Sequence, residues 1–174
     1  KTFNGQANSG GAVSLPVEAE LRKSYGSDFK HIFITFWNDH HTLIAGEKKV
    51  SYVDTYVSAE TTDALSLKMI KGSRSGLNGP SGMLISQSVA NALFGSENPM
   101  GKLVKMDDKA SFAVSGVYED MPATTSLHDI QFMAPWDYFL SSQSWLTRAA
   151  TDWSDDSFQL YVQLADNADM AAVS

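Results

Sequence analysis

Met83-Leu84-Ile85-Ser86-Gln87-Ser88-Val89-Ala90-Asn91-Ala92-Leu93-Phe94-Gly95 decides the fold class. Met83-Leu84-Ile85 is a short apolar run, suited to a buried strand. Ser86 offers a side-chain oxygen to the free amides of a helix start. Val89, Ala90, Leu93 and Phe94 then recur at helical spacing and line one face. Gly95 can take the backbone angles that end a helix. A strand feeding directly into a packed helix predicts a fold with both element types in one core.

Downstream, Leu103–Met106 and Ser111–Tyr118 read as a hairpin whose tip is Asp107-Asp108-Lys109. Residues 119–129 read as a loop, Ile130–Ala134 as a strand and Trp136–Leu140 as a short helix. Phe158, Leu160, Val162 and Leu164 alternate with polar and aromatic residues, the period of a half-buried strand. Upstream, Pro16 suits the first turn of a helix, with Glu18 and Glu20 at its positive end and Arg22 and Lys23 at the other. Val17, Leu21 and Tyr25 predict one buried stripe on it, and Gly26 its end. Ile32 to Trp37 predicts a strand apolar on both faces. Thr42–Ala45 and Lys49–Val57 predict two more around a turn at Gly46-Glu47, and Glu60–Leu65 a short helix. Residues Gly72 to Gly82 predict a Gly/Ser-rich loop. The class is therefore α+β, with a mixed, mainly antiparallel sheet and helices packed on it.

Composition narrows the function. The chain has 174 residues, 43% hydrophobic and 19% charged, an ordinary globular balance. Residues 1–13, rich in Gly, Ser and Asn, predict a flexible lead-in, and residues 14–174 one core domain. The net charge is −7 and the pI about 4.9, which argues against nucleic acid and against anionic lipid bound by charge alone. The absence of cysteine excludes disulfides and thiolate metal sites. No apolar run reaches the roughly 18–20 residues of a membrane span. A helix is expected to begin at Asp169, and both ends read as cut, so that anchoring segments are expected in the flanks.

No arrangement of reactive residues stands out. His40-His41 reads as a pair of exposed turn histidines whose side chains diverge. His31 and His128 are distant from it in sequence. Ser126, His128 and Asp129 are triad residue types but crowd into four positions. Glu119-Asp120, Asp107-Asp108 and Asp155-Asp156 read as solvated loop acids. Asp54 reads as a partly buried acid or a strand-end residue. Gly72–Gly82 lacks the Gly-Lys-Ser/Thr ending of a phosphate loop. Trp136, Trp145 and Trp153 cluster late in the chain and read as core or as an exposed patch. The reading assigns no catalytic, cofactor-binding or metal residue.

Five further segments carry a resemblance. Val50-Ser51-Tyr52-Val53-Asp54 resembles the "v-x-Y-V-D" strand of the MacB-like periplasmic core domains of ABC transporter permeases of the MacB/FtsX type. The stretch 83–95 resembles their "vvlSeslAkklFG", and Asn98-Pro99-Met100-Gly101-Lys102 resembles "dPiGk". Val114 to Pro122 resembles "VtGVyeDlP", with Ser126-Leu127-His128 like the "sSHl" that follows. Phe158–Leu164 resembles the "tYv-x-L" strand. Their order and spacing agree over about residues 50–165.

The resemblance implies an extracytoplasmic domain on the periplasmic side of the inner membrane, set between the first two of four membrane helices. It implies a two-lobed shape with a porter-like α/β lobe. It implies a cytoplasmic ABC ATPase and a second permease copy as partners, with a periplasmic adaptor or envelope protein as a further one. ATP is expected on the ATPase and no cofactor in this chain; the isolated domain is expected to be a monomer. The expected role is to transmit ATP-driven motion and contact substrate or partner proteins, with no bond chemistry. The alternative is a stand-alone secreted binding module for a peptide or glycan.

Overall fold

The computed structural model describes residues 11–166 and 168, with the backbone alone at 2–3 and 6–7 and at Ala59. Thr2–Phe3 (β1) and Gln6–Ala7 (β2) pair antiparallel by themselves. All other strands join one sheet. The helix expected at Asp169 lies outside the described residues.

Phe29–Thr35 (β3) and Asp39–Ala45 (β4) both run antiparallel to Lys48–Val57 (β5), so they form one long arm. The arm is interrupted at Phe36-Trp37-Asn38. Between the pairs Asp39↔Asp54 and Thr35↔Val57, three residues on one strand face two on the other, a local bulge. Phe36 and Trp37 thus leave the strand the alternation assigned them, and Trp37 is exposed. His40-His41 is not a turn: both lie in β4, with the turn at Gly46-Glu47.

Met69–Gly72 (β6) is a short strand to which the sequence reading assigned no element, its last residue falling at the start of the expected loop; it pairs with Ala110–Tyr118 (β9). Gly82–Ser86 (β7) runs parallel to β9, and Leu103–Met106 (β8) antiparallel to it. Phe132–Pro135 (β10) lies between β7 and β5, antiparallel to the first and parallel to the second. The pairings therefore close on themselves in the order β10, β7, β9, β8, β4, β5 and back to β10. Gln159–Leu164 (β11) hangs outside this circuit, antiparallel to β3. The sheet is mixed and mainly antiparallel, as expected.

The helices follow their local signals. Pro16–Tyr25 (α1) has Pro at its start and Arg22 and Lys23 in its last turn. Its expected buried stripe does not form: no residue of α1 is buried and Tyr25 is exposed, because the helix lies along the β3 edge and not over a sheet face. Ala59–Ala64 (α2) follows β5. Gln87–Phe94 (α3) is capped by Ser86, whose Oγ accepts the Val89 amide at 3.3 Å, and buries Val89, Ala90 and Leu93. Gly95 ends it at φ +60°. Trp136–Ser142 (α4) and the four-residue Leu146–Ala149 (α5) follow β10.

Alternate residues of the circuit feed two cores. Met83, Ile85, Phe112, Phe132 and Tyr56 join the α3 and α4 residues in the larger one. Leu84, Val57, Met133 and Tyr118 join Leu67 and Leu77 in the smaller. The stretch 72–82 is shaped by this packing: a Cβ on Gly82 would lie 2.1 Å from the Gly76 carbonyl oxygen. Its glycines let backbones touch and hold no phosphate-loop sequence.

Candidate functional site

The hairpin of β4 and β5 places Asp54 on the same strand face as Tyr52 and Tyr56, and His41 diagonally across from it. Asp54 is fully buried in mid-strand, and neither carboxyl oxygen has a hydrogen-bond partner among the described residues. The sequence suggested a partly buried or strand-end acid; β10 covers the outer edge of β5 at this residue and closes it off from water.

His41 stands between two acids. Its Nε2 lies 3.6 Å from Asp54 Oδ1 and its Nδ1 2.5 Å from Asp107 Oδ2. Asp107, at the β8–β9 turn, accepts the Thr42 amide on Oδ1 at 2.8 Å and donates its own amide to the Thr42 carbonyl. This clamp fixes the histidine ring between them. Burial pushes the Asp54 carboxyl up to about 7; His41 and the nearby Asp39 backbone oppose the rise, while the Asp39 and Asp107 charges add to it. Burial also raises Asp107, yet the Thr42 amide and His41 outweigh it and hold that carboxyl below the usual range. Burial, then the neighbouring carboxyl groups, push the Tyr56 phenol up.

Beside this cluster opens a cavity of about 140 Å³ lined by Phe36, Asp39, His41, Tyr56, Phe139 and Trp145, with Gln143 at its side. Its aromatic residues are mutually packed: Tyr56 stacks on Phe139 at 4.5 Å, and Phe36 lies 4.8 Å from Phe139 and 5.9 Å from Trp145. A larger groove, about 440 Å³, lies between residues 65–68 and 119–125. Leu65, Leu67, Met121 and Pro122 make it apolar, and Lys68 with Glu119, 2.9 Å apart, edges it with an ion pair.

The other sequence candidates fall elsewhere. His128 directs Nε2 to Asp129 at 3.1 Å and Nδ1 to the Thr125 carbonyl at 2.9 Å, so both ring nitrogens serve the loop itself. Asp120 holds the start of α3 through the Ser88 hydroxyl at 2.9 Å. His31 lies 3.4 Å from Glu60. Among the described residues no three His, Asp or Glu side chains converge as metal ligands would. The late tryptophans do not form one patch: Trp136 is buried, Trp145 stacks on Phe158 at 5.8 Å, and Trp153 alone is exposed. The pairing of His41 with Asp54 was missed, although the hairpin register carries the signal, since a turn at Gly46-Glu47 sets position 41 opposite 52.

Among the described residues no helix is long and apolar enough to cross a membrane. The sequence matches the model of the MacB-like periplasmic core domain over residues 4–174. None of the curated proteins matches it. Several solved structures share its fold, three of which follow. A domain of a Porphyromonas gingivalis protein named as a permease superposes with a TM-score of 0.77 at 19% identity, covering 94% of this chain and 68% of that one. The periplasmic region of MacB from Actinobacillus actinomycetemcomitans gives 0.68 at 19% identity, covering 92% and 69%. The extracellular domain of the noncanonic ABC-type transporter YknZ from Gram-positive bacteria gives 0.60 at 13% identity, covering 88% and 91%.

Proposed function

This chain belongs to the MacB-like periplasmic core domain family, the periplasmic domain of ABC-type transporter permeases, and from that membership we propose that it transmits ATP-driven motion to substrate or partner proteins outside the cytoplasm. The observation that carries the reading is the length of the family match, residues 4–174. In this reading the chain sits on the outer side of the inner membrane and works beside a second permease copy. ATP is bound and hydrolysed on a cytoplasmic ATPase. No bond-making step falls to this chain.

Two features of the fold suit a mechanical part. The closed circuit of strands is stiff, because no strand in it can slide without breaking pairs on both edges. The segments that lead into and out of the body are tied to each other: Val13 and Phe158 exchange both backbone hydrogen bonds, at 2.7 and 3.1 Å. A pull from membrane helices on either segment would therefore reach the body at one edge and turn it as a unit. The apolar groove at residues 65–68 and 119–125 is the surface we assign to substrate or partner contact.

The test uses the intact permease with its ATPase in lipid. Spin labels at Lys23 and Lys109, both exposed, report distances between the two copies. The reading expects those distances to redistribute when ATP is added. Distances that ignore ATP while the ATPase turns over would remove the mechanical role.

A further inference from the structure

We propose that the outer edge of β11 docks a second copy of this chain, the two β11 strands pairing antiparallel about a two-fold axis at Val162. The proposal rests on the transport reading only for the nearness of a second copy; the pairing itself is read from this chain.

The direction of the backbone groups comes first. Ile32 gives its amide to Glu60 and its carbonyl accepts from Arg22, so both groups point away from β11. Val162 lies opposite Ile32, and the two residues of such an antiparallel pair both point away from each other. Val162 therefore turns its N–H and C=O to the far side of β11, and by alternation so do Leu160 and Leu164. Phe158 agrees, since it exchanges both bonds with Val13. At the other end Ala165 donates back to Asp28, and the chain turns there, closed by the Ala168 amide on the Ala165 carbonyl. Among the described residues, β3 is the one strand paired with Gln159–Leu164.

The other edges are guarded. Arg22 and Glu60 occupy that of β3. β6 is four residues long, carries Lys71 and is bulged between Met69 and Lys71. β11 has no charge and no proline, and its one irregularity adds Lys30 to β3 and no residue to β11. Val162 is 47% exposed, although the apolar stripe it continues is buried at Phe158. An edge of this kind is a template for another strand.

A copy fits it because the strand is its own complement. With Val162 at the centre, Leu160 falls opposite Leu164 of the second copy, and Tyr161 opposite Gln163. Apolar side chains meet on one face, and phenol meets amide on the other. The net charge of −7 sets two copies against each other, and β11 brings no charge to their meeting. The pairing runs over residues 160–164 and stops where Val13 fills the place opposite Phe158. A two-fold contact closes at two copies. The isolated chain then dimerises, where the resemblance implied a monomer.

The experiment uses this chain, which has no cysteine of its own. In the proposed register the Val162 positions of the two copies stand about 5.5 Å apart between Cα atoms, within disulfide reach. The two Leu160 positions stand roughly 14 Å apart, out of reach. Under air with copper phenanthroline, Val162→Cys should give a covalent dimer and Leu160→Cys should stay a monomer. Sedimentation equilibrium of the unaltered chain should show a reversible dimer. Val162→Lys should weaken it at least tenfold, with an unchanged circular dichroism spectrum, and Ile70→Lys on the β6 edge should leave it unaltered. A chain that stays monomeric at millimolar concentration, a V162K dimer as tight as the original, or equal cross-linking of the two cysteine variants would each overturn the pairing and leave the transport reading standing.

Discussion

Arg22 and Glu60, 2.5 Å apart, together stand where a neighbouring strand would be expected along β3. Glu60 Oε1 accepts the Ile32 amide at 3.1 Å, and the Arg22 guanidinium donates to the Ile32 carbonyl. Each backbone group of this buried residue is thus satisfied by one half of an ion pair. The same pair tethers α1, which buries no residue of its own.

The pair predicts a local effect. Glu60→Ala should cost about 1–2 kcal/mol and expose the Ile32 amide to hydrogen exchange. Glu60→Gln, which keeps an acceptor oxygen, should cost less and retain part of the protection. An Ile32 amide that exchanges freely in the unaltered chain would contradict this account. Burial raises the Glu60 carboxyl, but the Arg22 and Ile32 hydrogen bonds outweigh it and hold it below its ordinary value. Its contribution is therefore present above the unfolded carboxylate range and lost as pH falls through the folded, lower value.

Asp54 has the opposite sign. Its folded value is about 7 against 3.8 for a free aspartate, so between those values the folded state holds a proton that the unfolded state has released. Stability should fall as pH rises from about 4 to 7 and level off above, by roughly 4 kcal/mol at most. His41 and the other acids facing Asp54, Asp39 and Asp107, set the remainder. Asp54→Asn should flatten this slope and be more stable than the unaltered chain at pH 8. Urea titrations across that range check it; parallel curves for the two proteins would refute the assignment.

Gly82 and Gly95 are required for different reasons. Gly82→Ala drives a Cβ into the Gly76 carbonyl and should cost about 3 kcal/mol or more. Gly95→Ala meets no atom within 4 Å and suffers only its φ of +60°, a cost of about 1–2 kcal/mol. Thermal melts that rank the two the other way would show that the 72–82 loop is softer than described.

His128→Ala should change stability by less than about 0.5 kcal/mol, because its ring bonds stay within an exposed loop. Any ester or peptide hydrolysis by the chain should survive the substitution as background. Turnover that this change abolished would make the chain an enzyme.

How much of this was legible follows residue type. The 83–95 unit was readable because strand, cap, helix stripe and glycine stop agree locally. The β8–β9 hairpin was readable for the same reason, and Asp107 and Asp108 both take the positive φ values its tight turn needs. Strand β6 was not, since Lys71 and Gly72 look like loop and only the β9 edge makes Met69–Gly72 extended. The exposure of α1 was hidden because Val17, Leu21 and Tyr25 have a stripe's spacing without a face to cover them. The burial of Asp54 was beyond local reading: it depends on β10, which comes from residues 132–135.

The central claim, membership of a membrane permease, is tested most directly on the full reading frame that contains this chain. Its hydropathy, confirmed by reporter fusions on either side of each apolar stretch, should give one span of about 20 residues upstream of Lys1 and three downstream of Ser174, with this domain outside the cytoplasm. A cleavable signal peptide upstream and no span downstream would contradict it, and would leave a secreted binding module in its place.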